Sequence, residues 1–311
     1  MIYVSLAENI DEAIPDKYKE KSKLLKKIIY FFRRKLFLIL EKNIEDRKLY
    51  VLPNLNKKYI KKLNKIIKVR CVNTVVLSET LRKNNEFIEK ISINDINILN
   101  GNWIYKYIEE NILEAIVNLK NEKMYMQEVS ILVNNLKEID IDNIKNIAKK
   151  VRVLNIITAK AGMLKKVEKN IYEEEGILIN VNNNYKKSLI KSDIIINEDF
   201  SLEELNNYNL PKKACIVNIG KNIKILSKCF EGINVLSFDI NIPKRFIKSA
   251  MELKDFKSSI LYESFIYKRT SIRNIRKEIE NDKIRILNLY GQSGMIRKSE
   301  YKGLKNMKKI G

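Results

Sequence analysis

Between residues 129 and 239, short apolar runs alternate with stretches whose apolar residues recur at helical spacing. The six runs cover residues 129–133, 153–157, 177–181, 193–197, 215–219 and 235–239. Strands that alternate with helices indicate a parallel sheet that is covered by helices on both faces. The pattern therefore predicts α/β architecture, with a doubly wound parallel sheet over 128–242.

The first hundred residues show the same kind of alternation on a smaller scale. Strand-like runs occur at 48–52, 73–77 and 96–99, and helical patterns at 18–43, after the capping residue Asn56, and at 79–91. Short β-branched runs between helical segments favour a second, smaller α/β domain. We place this domain at residues 1–100.

A helix with one apolar side is predicted over 103–120, and a polar stretch follows it up to residue 127. Past Pro243 the pattern is helical at 244–252, 255–268 and 271–281, with one strand-like run at 283–290 and a basic tail. A chain of 311 residues exceeds the size at which one core keeps growing. We therefore divide it into an N-terminal α/β domain (1–100), a connecting helix and linker (101–127), the doubly wound domain (128–242) and a C-terminal part (243–311).

The composition narrows the possible chemistry. The chain has no histidine, which excludes a His-based catalytic triad and most catalytic zinc sites. Its three cysteines, Cys71, Cys215 and Cys229, are far apart, and the first two fall in apolar strand patterns. This spacing indicates reduced, buried thiols in a cytoplasmic protein, and it predicts no metal site.

The formal net charge of +22 has two interpretations. A basic surface can bind nucleic acid or another anionic polymer through phosphate contacts. Alternatively, a chain rich in Ile, Lys and Asn reflects A/T-rich codons, and its lysines simply cover the polar faces of helices. The lysines are spread from end to end, so we favour the second interpretation.

The most apolar stretch of the chain, residues 24–40, is also basic. Its charged residues make it a poor membrane span, and residues 1–16 lack the apolar core of a signal peptide. Its apolar residues follow the helical period on one side. We expect that side to pack on a core; the alternative is a helix that lies on an anionic membrane.

The glycines that let a dinucleotide-binding unit accept phosphates are missing after its first predicted strand. Residues 134–140 read Asn-Asn-Leu-Lys-Glu-Ile-Asp. Asn134 or Asn135 could adopt the left-handed turn conformation in place of glycine. Leu136 should fill the space of a diphosphate, and the acids that follow should repel it.

The second predicted strand ends at Thr158 and Lys160, without the carboxylate that usually binds a ribose. If a nucleotide binds at all, its candidate contacts are therefore Asn134, Asn135, Thr158 and Lys160. Three acids, Glu198, Asp199 and Asp239, follow or close later strands and could gather at the same sheet edge. They could serve acid–base chemistry, hold a metal or cap a helix.

Three local stretches resemble the shikimate dehydrogenase family and, more loosely, the NADP-binding domain of glutamyl-tRNA reductase. Residues 50–53 (Tyr-Val-Leu-Pro) resemble the strand that precedes that family's catalytic lysine. Residues 71–76 (Cys-Val-Asn-Thr-Val-Val) resemble its substrate-binding strand, and 101–104 (Gly-Asn-Trp-Ile) the start of its connecting helix. The resemblance implies two domains, the second a Rossmann fold, with Asn73 and Asn102 as candidate substrate contacts.

The same comparison shows departures at the residues that carry the family's chemistry. Leu55 occupies the position of the catalytic lysine, and the nearest lysines are Lys57 and Lys58. Trp103 replaces the aspartate that is expected after Asn102, and the shikimate-binding serines have no counterpart in 1–20. The resemblance therefore indicates common ancestry and a lost activity.

The sequence supports three functional hypotheses. The first is a non-catalytic dehydrogenase-like protein that binds a partner or an altered ligand in the cleft between its domains, with no cofactor. The second is an oxidoreductase that holds NAD or NADP in an atypical way and uses Lys57 or Lys58 with Asp199 for acid–base work. The third is binding to nucleic acid or an anionic membrane. We favour the first; the sequence identifies neither the partner nor an oligomeric state.

Overall fold

The computed structural model of the chain describes residues 1–92, 95–184, 187–219, 223, 225, 230–267 and 272–301. Its strands are β1 (Ile2–Leu6), β2 (Leu40–Ile44), β3 (Arg47–Leu52), β4 (Thr74–Leu77), β5 (Asn97–Ile98), β6 (Glu128–Leu132), β7 (Val153–Ile157), β8 (Asn180–Asn182), β9 (Ile194–Asn197), β10 (Cys215–Val217), β11 (Ile233–Val235), β12 (Ser237–Ile240), β13 (Ile286–Gly291) and β14 (Gly294–Met295).

The α-helices are α1 (Ile10–Ala13), α2 (Lys23–Lys35), α3 (Lys57–Val69), α4 (Glu79–Arg82), α5 (Asn85–Ser92), α6 (Asn102–Lys120), α7 (Glu138–Ala148), α8 (Ala161–Glu175), α9 (Leu202–Asn206), α10 (Ile247–Glu252), α11 (Ser258–Ile266) and α12 (Ile272–Asn281). Single 3₁₀ turns lie at Asp16–Tyr18, Met124–Met126 and Lys244–Phe246. No helix in the described part of the chain is both long enough and apolar enough to cross a membrane.

The chain forms two compact units, each of them built from two separate segments. The first unit contains residues 1–101 and 242–269, and the second contains 102–241 and 270–311. Helix α6, which the sequence suggests as a connection, groups with the second unit, and the C-terminal part is divided between the two.

A five-stranded sheet with the order β2-β3-β1-β4-β5 forms the centre of the first unit. Strands β3, β1, β4 and β5 are parallel, whereas β2 pairs antiparallel with β3 at the edge. The sheet and helices α3, α4 and α5 share a core of apolar side chains. This core comprises Ile2, Val4, Tyr50, Leu52, Tyr59, Ile60, Leu63, Ile67, Val75, Leu77, Leu81, Phe87, Ile91 and Ile96.

Two strands of this sheet differ from the sequence prediction. Strand β1, in the middle of the sheet, is absent from the sequence prediction, although Ser5 is the one polar residue in its run. Strand β2 overlaps the end of the helix predicted over 18–43, which is correct only over Lys23–Lys35. The chain leaves the helix through Phe37, whose φ is 50°, and Leu40 then pairs with β3.

The predicted packing of the 24–40 stretch is also wrong. Helix α2 forms as expected, but none of its residues is buried. The apolar positions of the stretch face two ways, because Ile39 and Leu40 belong to the edge of the sheet, whereas Leu24 and Phe32 of the helix stay exposed.

Six parallel strands form the sheet of the second unit, in the order β11-β10-β9-β6-β7-β8. Counted within the unit, this order is 6-5-4-1-2-3, which is the strand order of the doubly wound Rossmann fold. Strand order reverses between β6 and β9, and ligands of such sheets bind at the carboxyl ends of the strands at this reversal. The predicted fold class is therefore confirmed.

The last predicted strand of this sheet, residues 235–239, is shifted. Strand β11 ends at Val235 and is the sixth parallel strand. Strand β12 then pairs antiparallel with β13, which pairs with β14 in a separate three-stranded sheet. Directly after β11, the Leu236 amide donates to the Tyr290 carbonyl (2.8 Å), so the chain pairs with β13 and leaves the parallel sheet. Asp239 consequently does not belong to the parallel sheet.

Candidate functional site

The turns after β6 and β9 meet at the strand-order reversal of the second unit. Both oxygens of the Asp199 carboxylate accept backbone N–H groups of the turn after β6. Oδ1 accepts the Asn134 amide and Oδ2 accepts the Asn135 amide, each at 2.8 Å. Two consecutive amides are the kind of donor that a phosphate takes in this fold. An internal carboxylate therefore engages the donors that a diphosphate would use.

The Asn134 side chain connects this turn to two neighbouring elements. Its Oδ1 accepts the Ala159 amide at 2.9 Å, and its Nδ2 donates to Glu204 at 2.8 Å. Glu204 also accepts the Ser201 amide, and the Ser201 hydroxyl accepts the Glu204 amide in return. Ser201, rather than Asp199, thus caps α9, which leaves Asp199 to the turn.

Lys160 and Thr158 belong to the same network. The Lys160 ammonium donates to the Asn135 side-chain oxygen at 2.8 Å, and its amide donates to the Thr158 hydroxyl at 3.0 Å. Thr158 is fully buried. The structure therefore brings together all four residues that the sequence suggests as nucleotide contacts, and hydrogen-bonds them to one another or to Asp199. Their role in binding a cofactor stays a prediction.

Neither Asn134 nor Asn135 adopts the left-handed conformation that the sequence would allow in place of glycine. That Leu136 fills the space of a diphosphate stays a prediction. Leu136 is only half-buried, and it is the Asp199 carboxylate that bonds the turn.

The first turn of α7 adds further negative charge beside the site. The Asp140 carboxylate accepts the Lys137 amide at 2.9 Å and so takes up a donor at the start of the helix. Lys106 of α6 forms ion pairs with Asp140 (2.9 Å) and with Glu198. The side chains of both acids are almost completely buried, at 6% and 3% exposure. The Lys106 ammonium thus compensates the charge of two buried carboxylates, which would otherwise carry a large desolvation penalty.

A third buried acid, Glu109, lies one helical turn after Lys106. Asn143 donates to one of its oxygens at 2.5 Å, while the other has no hydrogen-bond partner among the residues that the structure describes. Arg276 of α12 donates in turn to the Asn143 side chain at 2.9 Å. Burial raises the pKa of the Glu109 carboxyl to about 7. It also raises the pKa of the neighbouring Tyr105 phenol.

Sequence reasoning missed Lys106, Glu109 and Glu204 as parts of this region. Lys106 and Glu109 have a helical spacing of three, which only places them on neighbouring parts of α6. Their partners lie far along the chain, for example Asn143 at a separation of 34 residues. No local signal marks such contacts.

The candidates in the first unit are not brought together. Asn73 is exposed and precedes β4, at the amino edge of the sheet, whereas Lys57 and Lys58 are exposed at the start of α3, after the carboxyl end of β3. Because β3 and β4 run in the same direction, these residues lie at opposite edges of the sheet. Asn102 is the first residue of α6 in the second unit.

Two further expectations are corrected. Asp239 accepts the Tyr290 hydroxyl within the antiparallel sheet, so only Glu198 and Asp199 of the three expected acids are at the carboxyl edge. Cys71 is exposed just after α3 with a φ of 49°, whereas Cys215 is buried in β10 as predicted. Cys229 lies outside the described residues. Within the described ranges, no group of three or more Cys, Asp or Glu residues could hold a metal ion.

A cavity of about 620 Å³ lies in the second unit, at the amino ends of the parallel strands. Lys191, Lys212, Lys213, Leu210, Cys215 and Tyr301 are among its lining residues. The Cys215 sulfur is 3.3 Å from the Tyr301 hydroxyl, and burial raises the pKa of this thiol to about 11. An inert, protonated thiol is expected there, at the sheet edge opposite the predicted site.

No protein-family model matches the chain, and no curated protein matches it. Solved structures to which it is similar include a dipicolinate synthase subunit from Bacillus halodurans, with 12% identity over 48% of this chain and 51% of that one and a TM-score of 0.33. The chain thus spans about half the length of that protein. L-tryptophan dehydrogenase from Nostoc punctiforme gives 9% identity over 90% of this chain and 79% of that one, with a TM-score of 0.33.

Glutamyl-tRNA reductase from Methanopyrus kandleri is also among the similar structures, with 8% identity, 55% of this chain, 40% of that one and a TM-score of 0.29. These proteins are Rossmann proteins of the dehydrogenase type. Likenesses this distant concern the fold alone. The Rossmann fold that the resemblance implies for the second domain is confirmed by the strand order of the second unit. The lost activity stays a prediction.

Proposed function

We propose that this protein is a non-catalytic, dehydrogenase-like protein that acts by binding, and that its Rossmann unit does not hold NAD or NADP in the usual pose. One observation carries the proposal: the Asp199 carboxylate accepts both amides of the turn after β6. A diphosphate in this place would have to displace a bonded carboxylate and then remain close to its charge. Like charges at such distances are strongly unfavourable in a partly desolvated site.

The surrounding charges support the same conclusion. Glu138 and Asp140 lie at the start of α7 and Glu198 lies after β9, while Lys106, Lys137 and Lys160 are the cations on or beside the same turns. Helix α7 also carries two of these acids in its own first turn. Its N-terminal dipole is thus already compensated by the chain, which lowers its value for an incoming anion.

Titration calorimetry with NAD, NADH, NADP and NADPH tests the proposal. We expect no heat of binding below millimolar concentration for the intact chain. Micromolar affinity for any of the four would contradict the proposal. So would crystals soaked with a pyridine nucleotide in which density appeared between residues 134–138 and a displaced Asp199.

Inorganic pyrophosphate and the variant Asp199→Ala make the test sharper. Removing the carboxylate leaves the two turn amides without their acceptor, so the variant should bind pyrophosphate more tightly than the parent chain. Glu203→Ala removes an exposed acid from the nearby helix α9 and is the matched control for net charge. Equal gains in the two variants would indicate a general charge effect and would count against Asp199 as the occupant.

An oxidoreductase with an atypical nucleotide site is the second candidate function. The observation that favours it is the convergence of Asn134, Asn135, Thr158 and Lys160 at one sheet edge. The Lys160 ammonium would then release the Asn135 side-chain oxygen and bind a phosphate instead. NAD or NADP would be the cofactor. The same titrations separate the two candidates, because this one requires micromolar binding and a loss of that binding in Lys160→Ala.

A further inference from the structure

Helix α2 in the first unit combines six cations with no acid. Its sequence is Lys-Leu-Leu-Lys-Lys-Ile-Ile-Tyr-Phe-Phe-Arg-Arg-Lys. Ser22 caps its start by accepting the Leu25 amide, and Arg33, Arg34 and Lys35 in the last turn complement the helix dipole. At its end, the Leu38 amide bonds the Arg33 carbonyl at 2.9 Å across the left-handed Phe37. Both ends of α2 are thus fixed by hydrogen bonds within residues 22–38.

The apolar arc of α2 is exposed to solvent. Leu24, Phe31 and Phe32 are 71%, 61% and 55% exposed, and Leu25, Ile28 and Leu36 are exposed as well. At 100° per residue these six positions fall within an arc of about 140°, which also contains Lys35; Leu36 directly follows the last residue of the helix. The half-buried residues Lys26, Ile29, Tyr30 and Arg33 cover a different arc, and Lys26 forms an ion pair with Asp11 there. The helix therefore packs on its unit with a mixed face and presents its most apolar face outward.

A second basic helix adjoins the end of α2. Helix α3 carries six lysines and no acid, and its apolar side is buried in the core of the first unit. The Tyr59 hydroxyl of α3 donates to the Arg34 carbonyl, the rings of Phe37 and Tyr59 pack at 5.5 Å, and Lys58 lies over the Phe37 ring. These contacts place the start of α3 against the end of α2, and we call the exposed faces of the two helices the α2–α3 surface.

We propose that the α2–α3 surface docks on an anionic lipid bilayer. Leu24, Ile28 and Phe31 enter the interface between headgroups and acyl chains, while the lysines and arginines of both helices lie among the anionic headgroups. Exposed Leu, Ile and Phe beside Lys and Arg are the composition of helices that lie in the plane of a membrane. Anionic lipids attract such cations, which adds to the burial of the apolar arc.

Charge and apolarity together decide between possible occupants. A nucleic acid would satisfy the cations but would leave six large apolar side chains in water. A second copy of the chain would cover the apolar arc but would bring two clusters of cations together. A bilayer with anionic lipid satisfies both features at once.

Co-sedimentation of the full chain with vesicles tests the proposal. Vesicles of phosphatidylcholine with 30% phosphatidylserine, chosen as a typical anionic composition, should bind the protein much more tightly than pure phosphatidylcholine. Leu24→Ser with Phe31→Ser should weaken binding about 50-fold, because two apolar side chains no longer enter the interface. Lys27→Ala with Arg34→Ala and Lys35→Ala should weaken it about 100-fold, at about fivefold per cation.

Matched variants in the second unit provide the controls. Leu178→Ser with Leu287→Ser removes two side chains that are equally exposed, and Lys165→Ala with Lys166→Ala and Lys169→Ala removes three cations of α8. Both should change the affinity for vesicles by only about twofold to fivefold relative to the parent chain. An equal loss in these variants would overturn the assignment to α2.

Fluorescence gives a readout that does not depend on sedimentation. The chain has a single tryptophan, Trp103, so Trp103→Phe with Phe31→Trp places the only indole on the apolar arc of α2. Its emission should shift to shorter wavelength with anionic vesicles and stay unchanged with neutral ones. An unchanged spectrum, binding to RNA without binding to vesicles, or a dimer that Phe31→Ser dissociates would each overturn the proposal. These results are independent of nucleotide titrations on the second unit.

Discussion

The turn after β6 and helix α2 are opposite cases of how this chain treats a surface. At the turn, the fold usually leaves backbone donors open for a ligand, and here the chain fills them with its own Asp199. At α2, an amphipathic helix usually places its apolar arc on a core, and here that arc stays exposed. A polar group in a partly buried turn costs free energy until it is bonded, whereas an exposed apolar arc can be retained for a partner. A binding function is therefore expected at α2, where the chain leaves its own apolar surface uncovered.

The largest effect on stability is expected for Lys106→Met. This change leaves the buried carboxylates of Asp140 and Glu198 without their cation. Removing one partner of a buried ion pair typically costs about 3–5 kcal/mol, and we expect about 4 kcal/mol from urea unfolding at pH 7. Lys145→Met removes an exposed pair with Glu174 and should cost less than about 1 kcal/mol. Equal losses would show that the Lys106 cluster has no special role.

Glu109→Gln should change how stability depends on pH. The pKa of the folded carboxyl is about 7, above the ordinary value of 4.5, so the folded state retains a proton that the unfolded state releases between these values. The free energy of unfolding of the parent chain should fall, relative to Glu109→Gln, as pH rises from 4.5 to 7, by about 3 kcal/mol in total. Above pH 7 the difference should be constant. Urea titrations of both proteins at several pH values check this, and a difference that is independent of pH would refute it.

Asp199→Ala should destabilise the second unit by about 2 kcal/mol, because two turn amides lose a charged acceptor. Asp199→Asn retains one acceptor oxygen and should lose roughly half as much. Glu203→Ala, on the exposed side of α9, should change the free energy of unfolding by less than about 0.5 kcal/mol. If Asp199→Ala were as mild as this control, the carboxylate would not be holding the turn, and the proposed function would lose its support.

The smallest effect is expected for Phe31→Ser, which should change the free energy of unfolding by less than about 0.5 kcal/mol because the ring is exposed. The same variant should weaken binding to anionic vesicles. Phe31 is thus expected to contribute little to stability and much to binding, whereas Asp199 is expected to contribute to stability and, in the proposed function, to oppose the binding of an anion. Thermal unfolding in buffer measures the first quantity. A large loss of stability would mean that the α2 arc is packed after all.

The sequence by itself determined the secondary structure of most of the second unit, because β-branched runs and helical spacing are local properties. It also determined that residues 134–140 contain no glycine and that the 24–40 stretch is basic and amphipathic. It did not determine β2, because Ile39 and Leu40 also fit the helical period that precedes them. The excursion at Phe37, which ends the helix, depends on packing against Tyr59 of another helix.

Only the tertiary structure decided what occupies each of these surfaces. Asp199 reaches the turn after β6 from 65 residues further along the chain, and Lys106 reaches Asp140 across 34 residues. Asp239 leaves the parallel sheet because β12 pairs with β13, about 50 residues later in the chain. Such contacts depend on which strands become neighbours in a sheet, and no local pattern of apolar and polar residues encodes that choice.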